Sequence, residues 1–284
     1  MKASELILNP DGSVYHLHLR PEEVAPTIIT VGDPKRVAEV TKYFDKIEIK
    51  KAYREFVTHT GTLNGKRLTV ISTGIGTDNI DIVLNEIDAL FNIDFASRQI
   101  KQTIIPLTFI RIGTSGILRK EIPIDQFLIS EHAVGLDGLM YFYKDKSHND
   151  PALHQALVPF FDQLNFYTAS ASPSLIEQFS TPSFQKGISL TCSGFYGPQM
   201  RALRLSPRLQ DFFNKIHSFQ YKNLHLTNME METAGIYALA QLLGHRAISL
   251  NALLANRQTG EFSQNPSLAI ERLIQIVLKI ISNE

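Results

Sequence analysis

Tryptophan is absent from this 284-residue chain, cysteine occurs once, and neither sign of charge is in excess. The lone Cys192 excludes an intrachain disulfide and cannot by itself build a cysteine zinc cluster, which fits a reducing cytoplasm. Lys and Arg number 28, as do Asp and Glu. No global field therefore gathers nucleic acid or an acidic membrane, and any basic pocket has to be built locally. No apolar run is long enough to span a bilayer, and Lys2, Glu5, Asp11 and Arg20 interrupt the N-terminal segment where a signal peptide would need an apolar core. We expect a soluble, cytoplasmic protein. Internal repeats, low-complexity tracts and linkers are also missing, so residues 1–284 read as one domain with a sizeable core.

Short β-branched runs alternate with helical patterns. A strand at 27–31 leads through Gly32-Asp33-Pro34 into a helix at 34–44, and a strand at 68–72 leads through Gly74-Ile75-Gly76 into a helix at 79–91. Further strands are expected at 108–112, 127–130, 188–191 and 247–253, with closing helices at 231–243 and 266–281. The alternation predicts an α/β fold, a three-layer sandwich whose central mixed, mainly parallel sheet is flanked by helices. Ligands in such folds bind beyond the carboxyl ends of strands. Segments 92–103 and 144–150 read as surface excursions.

Three groups of residues carry chemistry. Gly32-Asp33-Pro34 opens a helix with Lys35 and Arg36 in its first turn, a place that welcomes an anion, although a plain strand-to-helix turn would look the same. Arg111-Ile112-Gly113-Thr114 sets an arginine near the end of an apolar strand and a hydroxyl in a Gly-rich turn, where both could grip phosphate. Arg54 is a third cation, or an ordinary paired strand charge. Asn228-Met229-Glu230-Met231-Glu232 opens an apolar, buried helix, and Glu232 could accept two hydrogen bonds from a vicinal diol or simply cap that helix. Phe195-Tyr196-Gly197-Pro198-Gln199-Met200-Arg201 offers an aromatic face, a two-way amide and a fixed cation. That set could read the carbonyl and N–H edge of a pyrimidine, and it is also turn chemistry. A dinucleotide site is disfavoured because Asn79 stands where the last Gly of G-x-G-x-x-G belongs. His16 and His18 could form a strand pair for a metal, without a partnered Cys or carboxylate motif.

Together, Gly32-Asp33-Pro34-x-Arg36-Val37, Arg54-Glu55-Phe56, Ser72-Thr73-Gly74-Ile75-Gly76, Arg111-Ile112-Gly113-Thr114 and Asn228-x-Glu230-Met231-Glu232 resemble the nucleoside phosphorylase family, which contains enzymes for uridine and for purine nucleosides. The segment Phe195 to Arg201 and the pair Asn256-Arg257 resemble its pyrimidine branch; purine enzymes carry an Asp near the latter. The resemblance implies reversible phosphorolysis of uridine to uracil and ribose 1-phosphate, a transferase reaction without a redox cofactor. It assigns phosphate to Gly32, Arg36, Arg111 and Thr114, with Arg54 reaching in from a neighbouring subunit. It assigns ribose to Met231, Glu232 and a His16 that crosses the dimer interface, and uracil to Phe195, Gln199 and Arg201. Catalysis falls to Arg111, Glu232, Arg201 and Gln199.

The chain departs from that pattern at Thr77-Asp78-Asn79, where relatives carry small residues. Asn79 replaces a Ser that helps hold a monovalent cation between subunits, so a potassium ion at Glu55, Ile75 and Asn79 stays one alternative. Segment 92–103 is an insertion that bears on how shared-site dimers build the hexamer common among relatives. A purine phosphorylase, a nucleosidase using water, or a non-catalytic nucleoside-binding protein are the alternatives. The full set of phosphate-binding arginines speaks against the nucleosidase, and the retention of Arg36, Arg111 and Glu232 against the binding protein.

Overall fold

The β-branched runs of the sequence become strands and its apolar-periodic segments become helices in the computed structural model, which describes residues 1–145, 150–161, 164–209 and 211–283. The first half holds β1 (Thr27–Val31), α1 (Pro34–Thr41), β2 (Lys46–Tyr53), β3 (Phe56–Leu63), β4 (Lys66–Ser72), α2 (Thr77–Asn92), β5 (Ile93–Asp94), β6 (Gln99–Ile100), β7 (Thr108–Ile117) and β8 (Phe127–Leu136). The second holds α3 (Pro151–Leu157), β9 (Tyr167–Ser170), α4 (Pro173–Phe179), β10 (Phe184–Cys192), α5 (Phe212–His217), β11 (Gln220–Tyr221), β12 (Leu224–Glu230), α6 (Thr233–Leu242), β13 (Arg246–Asn256) and α7 (Pro266–Ser282).

One mixed sheet runs β11-β12-β10-β8-β13-β7-β1-β4-β3-β2. Its parallel pairings are β12 with β10, β10 with β8, and the run from β13 through β7 and β1 to β4, while the central β8–β13 pair and the margins are antiparallel. β12 also pairs antiparallel with β7, so the strands from β12 round to β7 close on themselves. Helix α1 starts on a sound cap, since Asp33 accepts from the Lys35 N–H at 2.9 Å and Pro34 needs no donor partner. In α2, Ile80, Val83, Leu84 and Ile87 are buried, and in α7 so are Leu273, Ile274, Val277, Leu278 and Ile281, so both stripes face the core as their spacing demands. Helix α6 is buried from Thr233 to Ala240, consistent with its lack of a polar face. Among the described residues, no helix is long and apolar enough to cross a membrane.

The structure corrects several expectations. β7 continues to Ile117, so Gly113 and Thr114 lie within a strand, not in a Gly-rich turn, because the ladder to β13 persists through Asn256 opposite Ile117. Asn228 to Glu230 belong to β12, paired along β10, and α6 begins only at Thr233. The helix-opening reading failed because two carboxylates before an apolar helix look the same whether they cap it or end the preceding strand. β2 and β3 were not foreseen: β2 alternates half-buried and exposed positions with no fully buried face, so it carries little hydrophobic signal. The 92–103 excursion is a small hairpin of β5 and β6. Arg98 Nη1 donates to the Leu6 carbonyl at 2.6 Å, and the Met1 amine donates to the Arg98 carbonyl at 2.9 Å, docking the hairpin on the N-terminal segment. Most of 144–150 lies outside the described residues.

Burial lowers the pKa of both His59 and His132 below the ordinary 6.5, so both fold as neutral imidazoles. The stability this contributes is complete above pH 6.5 and is lost as the pH falls toward the folded-state values. The thermal midpoint should therefore drop between pH 7 and pH 5, and His132→Gln should flatten part of that slope in a calorimetric series.

Candidate active site

The carboxyl ends of β1, β4, β7, β12 and β13 open on a cleft of about 780 Å³, within the range of small-ligand sites. Gly32, Arg36, Arg111 and Thr114 line it, as do Met231, Glu232, Phe195, Gln199 and Arg201, and also Glu55, Ile75 and Asn79. Twelve widely spaced positions that the sequence singled out thus converge on one cavity.

At its base is an ion cluster. Arg111 Nη2 lies 2.6 Å from Glu232 Oε2 and 3.4 Å from Glu230 Oε2, while Nη1 donates to Asn251 Oδ1 at 2.8 Å. Burial works against the Arg111 charge, but Glu232 and Glu230 outweigh it and raise its pKa. Glu232 is also buried and accepts from the Gly76 N–H at 2.8 Å. Burial raises its pKa, Arg111 opposes this, and Glu230 adds to the rise. Glu230 does the capping: it accepts from the Glu232 and Thr233 N–H groups at 2.9 and 2.8 Å and from the Thr233 hydroxyl. Glu232 is thereby left to face Arg111 and the cleft.

Arg36 stands beside this cluster on the first turn of α1. Burial, and then the charge of Arg111, lower its pKa. Its Nη1 donates to the Ile112 carbonyl at 3.4 Å, but its buried Nε has no hydrogen-bond partner. A buried, unpartnered guanidinium N–H is costly unless a ligand takes it. Two adjacent arginines and an orphaned donor at a helix start have the chemistry that suits an anion.

Gly113 makes room for Arg111. A Cβ on Gly113 would fall 1.8 Å from Arg111 Nη1, since positions i and i+2 share one face of a strand. Gly113→Ala should therefore displace the guanidinium and lower turnover on the order of 10²-fold, and calorimetry should show a lowered thermal midpoint, because a displaced Arg111 loosens its buried pairs with Glu232 and Glu230.

At the other end of the cleft, Arg201 Nη1 donates to Gln199 Oε1 at 2.6 Å and to the Phe195 carbonyl at 2.8 Å. Its guanidinium lies 3.7 Å from the Phe195 ring centroid. The aromatic face that the sequence offered to a base is thus covered on one side by Arg201, a cation–π contact that preorganises the loop. Gln199, with its oxygen taken, presents its amide N–H₂ as donor. Behind it, Arg257 Nη1 donates to the Gln199 carbonyl at 3.0 Å. Asn256 does not face the cleft. It is buried, donating to the Arg119 and Ile122 carbonyls at 3.1 Å and accepting from the Gln258 and Thr259 N–H groups.

Two expected residues stay outside the cleft of their own chain. Arg54 is exposed at the tip of the β2–β3 hairpin, with φ of 54° and its guanidinium 5.5 Å from the Tyr53 ring. His16 lies in a turn, its Nδ1 2.6 Å from Glu86 Oε1 on α2. His18 is not its strand partner: its φ is 53° and its ring stacks on Tyr53 at 3.7 Å. No group of three or more His, Cys, Asp or Glu able to hold a metal exists among the described residues. The cleft also includes Ser115 and Met229, which sit within or beside the runs singled out in the sequence without a role of their own, and Leu254 and Phe262, which the sequence did not reveal. Phe262 reaches it through an isolated antiparallel bridge to Ala255, across the short turn that Asn256 anchors.

Residues 26–282 match the phosphorylase superfamily. A uridine phosphorylase of Thermococcus kodakarensis is 30% identical over 89% of this chain and 81% of its own length. One from Escherichia coli is 26% identical over 94% of this chain and 98% of its own length. A crystal structure of a Trypanosoma brucei nucleoside phosphorylase with uridine phosphorylase activity superposes with a TM-score of 0.88 and 28% identity, covering 98% of this chain and 100% of that one. A match that spans all the strands of the sheet, around a cleft where the motif residues converge, makes this chain a member of the phosphorylase superfamily, in the nucleoside phosphorylase family that its motifs resemble.

Proposed function

We propose that this protein catalyses the reversible phosphorolysis of uridine to uracil and ribose 1-phosphate. The observation that carries the reading is a single cleft with the buried Arg36 Nε donor and Arg111 at one end and the Gln199–Arg201 pair at the other. Phosphate would take the Arg36 and Arg111 donors, the Gly32 region and the Thr114 hydroxyl. Ribose would lie against Met231, its hydroxyls on Glu232, whose charge Arg111 sustains. Uracil would meet the Gln199 amide and the Arg201 guanidinium.

The chemistry is management of charge. As the glycosidic bond stretches, the sugar becomes cationic and the base anionic, so phosphate oxygens stabilise one and Arg201 with Gln199 stabilise the other. Fixed arginines holding phosphate beneath the anomeric carbon also remove much of the entropic cost of a two-substrate reaction. No redox cofactor has a role in this scheme.

A second copy of the chain completes the proposed site. Arg54 and His16 lie outside the cleft of their own chain, and a shared-site dimer would supply both from a neighbour; a hexamer of such dimers is the larger assembly we propose. The side chains of Glu55 and Asn79 flank Gly74, where a Cβ would lie 3.0 Å from Glu55 Cγ and 2.5 Å from Asn79 Nδ2, and Glu55, Ile75 and Asn79 all line the cleft. The Glu55 carboxylate, the Asn79 amide oxygen and the Ile75 carbonyl are hard oxygen donors of the kind a monovalent cation such as potassium takes, and we propose such an ion between subunits.

A purine phosphorylase would want an acid where the buried Asn256 anchors its loop. The discriminating assay compares base release from uridine, thymidine and inosine at saturating phosphate. Uracil release with inosine inert is expected; preference for inosine would overturn the reading of the base loop.

A further inference from the structure

Beneath the cleft, a hydrogen-bonded chain threads the closed set of strands. Arg111 Nη1 on β7 donates to Asn251 Oδ1 on β13 at 2.8 Å, and Asn251 Nδ2 donates to Ser130 Oγ on β8 at 3.1 Å. Ser130 and Ser189 Oγ, on β8 and β10, are 2.5 Å apart. Ser189 donates to Asn228 Oδ1 on β12 at 2.6 Å, and Asn228 Nδ2 donates to Ser115 Oγ, back on β7, at 2.9 Å. Asn251, Ser130, Ser189 and Asn228 are wholly buried, whereas Arg111 and Ser115 both line the cleft.

The direction of this chain is fixed by chemistry. Arginine can only donate, so Asn251 must turn its oxygen to Arg111 and its N–H₂ to Ser130. Ser130, having accepted, satisfies its own hydrogen by donating to Ser189. The opposite sense would leave a buried hydroxyl hydrogen unpaired. Ser189 then donates to Asn228, whose amide can only donate onward, and Ser115 must accept. Its hydroxyl hydrogen is therefore free to point to a ligand. Ser115 is held by Asn228 on β12, the strand that runs on through Met229 and Glu230 to Met231 and Glu232, all of which line the cleft. Ser115 thus lies beside the residues proposed for the ribose of the nucleoside.

We propose that Asn251 and Asn228 are positioning residues at opposite ends of this one-way chain: Asn251 orients Arg111 for phosphate, and Asn228 compels Ser115 to donate to the nucleoside. The inference rests on the phosphorolysis reading for its substrates. Serines and asparagines buried in an unbroken chain between two cleft-lining residues gain a function by it, since an apolar core would be the simpler solution.

The test is steady-state kinetics with uridine and inorganic phosphate, with thermal unfolding of each variant as control. Asn251→Leu should raise the phosphate KM by tenfold or more, as loss of a charge-assisted hydrogen bond implies, and leave the uridine KM within about twofold. Ser115→Ala and Asn228→Leu should each raise the uridine KM by about three- to tenfold and spare phosphate. The double variant should be no worse than Ser115→Ala, because both act through one donor. Additive losses, or variants that raise both KM values together, would assign the chain a merely structural part and overturn the proposal. If Asn228→Leu does not fold, Asn228→Asp, which keeps the acceptor for Ser189 and lacks the amide donor, replaces it in the cycle. Should the unaltered chain release no uracil, the functional reading fails instead. Calorimetry with inorganic phosphate alone then decides the Asn251 arm, and equal binding by Asn251→Leu and the unaltered chain would overturn it.

Discussion

Arg111→Met should lower phosphorolysis of uridine by about 10³-fold or more, since it removes a preorganised cation from the reacting phosphate. It should also destabilise the fold by about 3–5 kcal/mol, because a buried pair that loses one partner leaves an uncompensated charge. Here the remaining charges are Glu232 and Glu230, both buried and both within 3.4 Å of the Arg111 Nη2 that held them apart. Adding Glu232→Gln to Arg111→Met relieves that repulsion. The double variant should recover much of the melting midpoint and none of the turnover, as measured by scanning calorimetry beside uracil release. A double variant no more stable than Arg111→Met would show that the pair does not act as a unit.

The second large effect concerns the base. Arg201→Ala should reduce turnover of uridine by about 10² to 10³-fold, as expected for a donor aimed at charge that develops in the transition state. The phosphate KM should stay within about threefold, because Arg201 belongs to the Phe195–Gln199 end of the cleft and makes its described contacts there. Arg201→Lys is a sharper probe: it keeps a charge but cannot bond Gln199 and the Phe195 carbonyl in one plane. It should recover less than a tenth of the activity. Equal loss of uridine turnover and phosphate affinity in Arg201→Ala would remove the base-reading role.

Much of this site was legible because its parts are local. Gly32-Asp33-Pro34 reads as a strand end and helix cap within a few residues, and it is one, with Asp33 on the Lys35 N–H. The paired carboxylates Glu230 and Glu232 announced a buried charge before an apolar helix, and both are buried. Their division of labour was not legible. Which of them caps α6 depends on where β12 ends, and that is set by its ladder to β10 across 39 residues of sequence. The extension of β7 past Gly113 was hidden likewise, because glycines that suggest a turn here provide clearance for the Arg111 side chain. The chain of buried Ser and Asn residues is a product of tertiary closure alone. The amide orientations along that chain follow from Arg111, a partner 140 residues from Asn251.

The central claim is transfer of the ribosyl group to phosphate, and the direct measurement is the ratio of ribose 1-phosphate to uracil as phosphate is varied at fixed uridine. The account predicts one ribose 1-phosphate for each uracil, with the rate saturating in phosphate and vanishing in its absence. Uracil accompanied by free ribose, at a rate indifferent to phosphate, would contradict it, because the Arg36 and Arg111 donors would then serve no substrate.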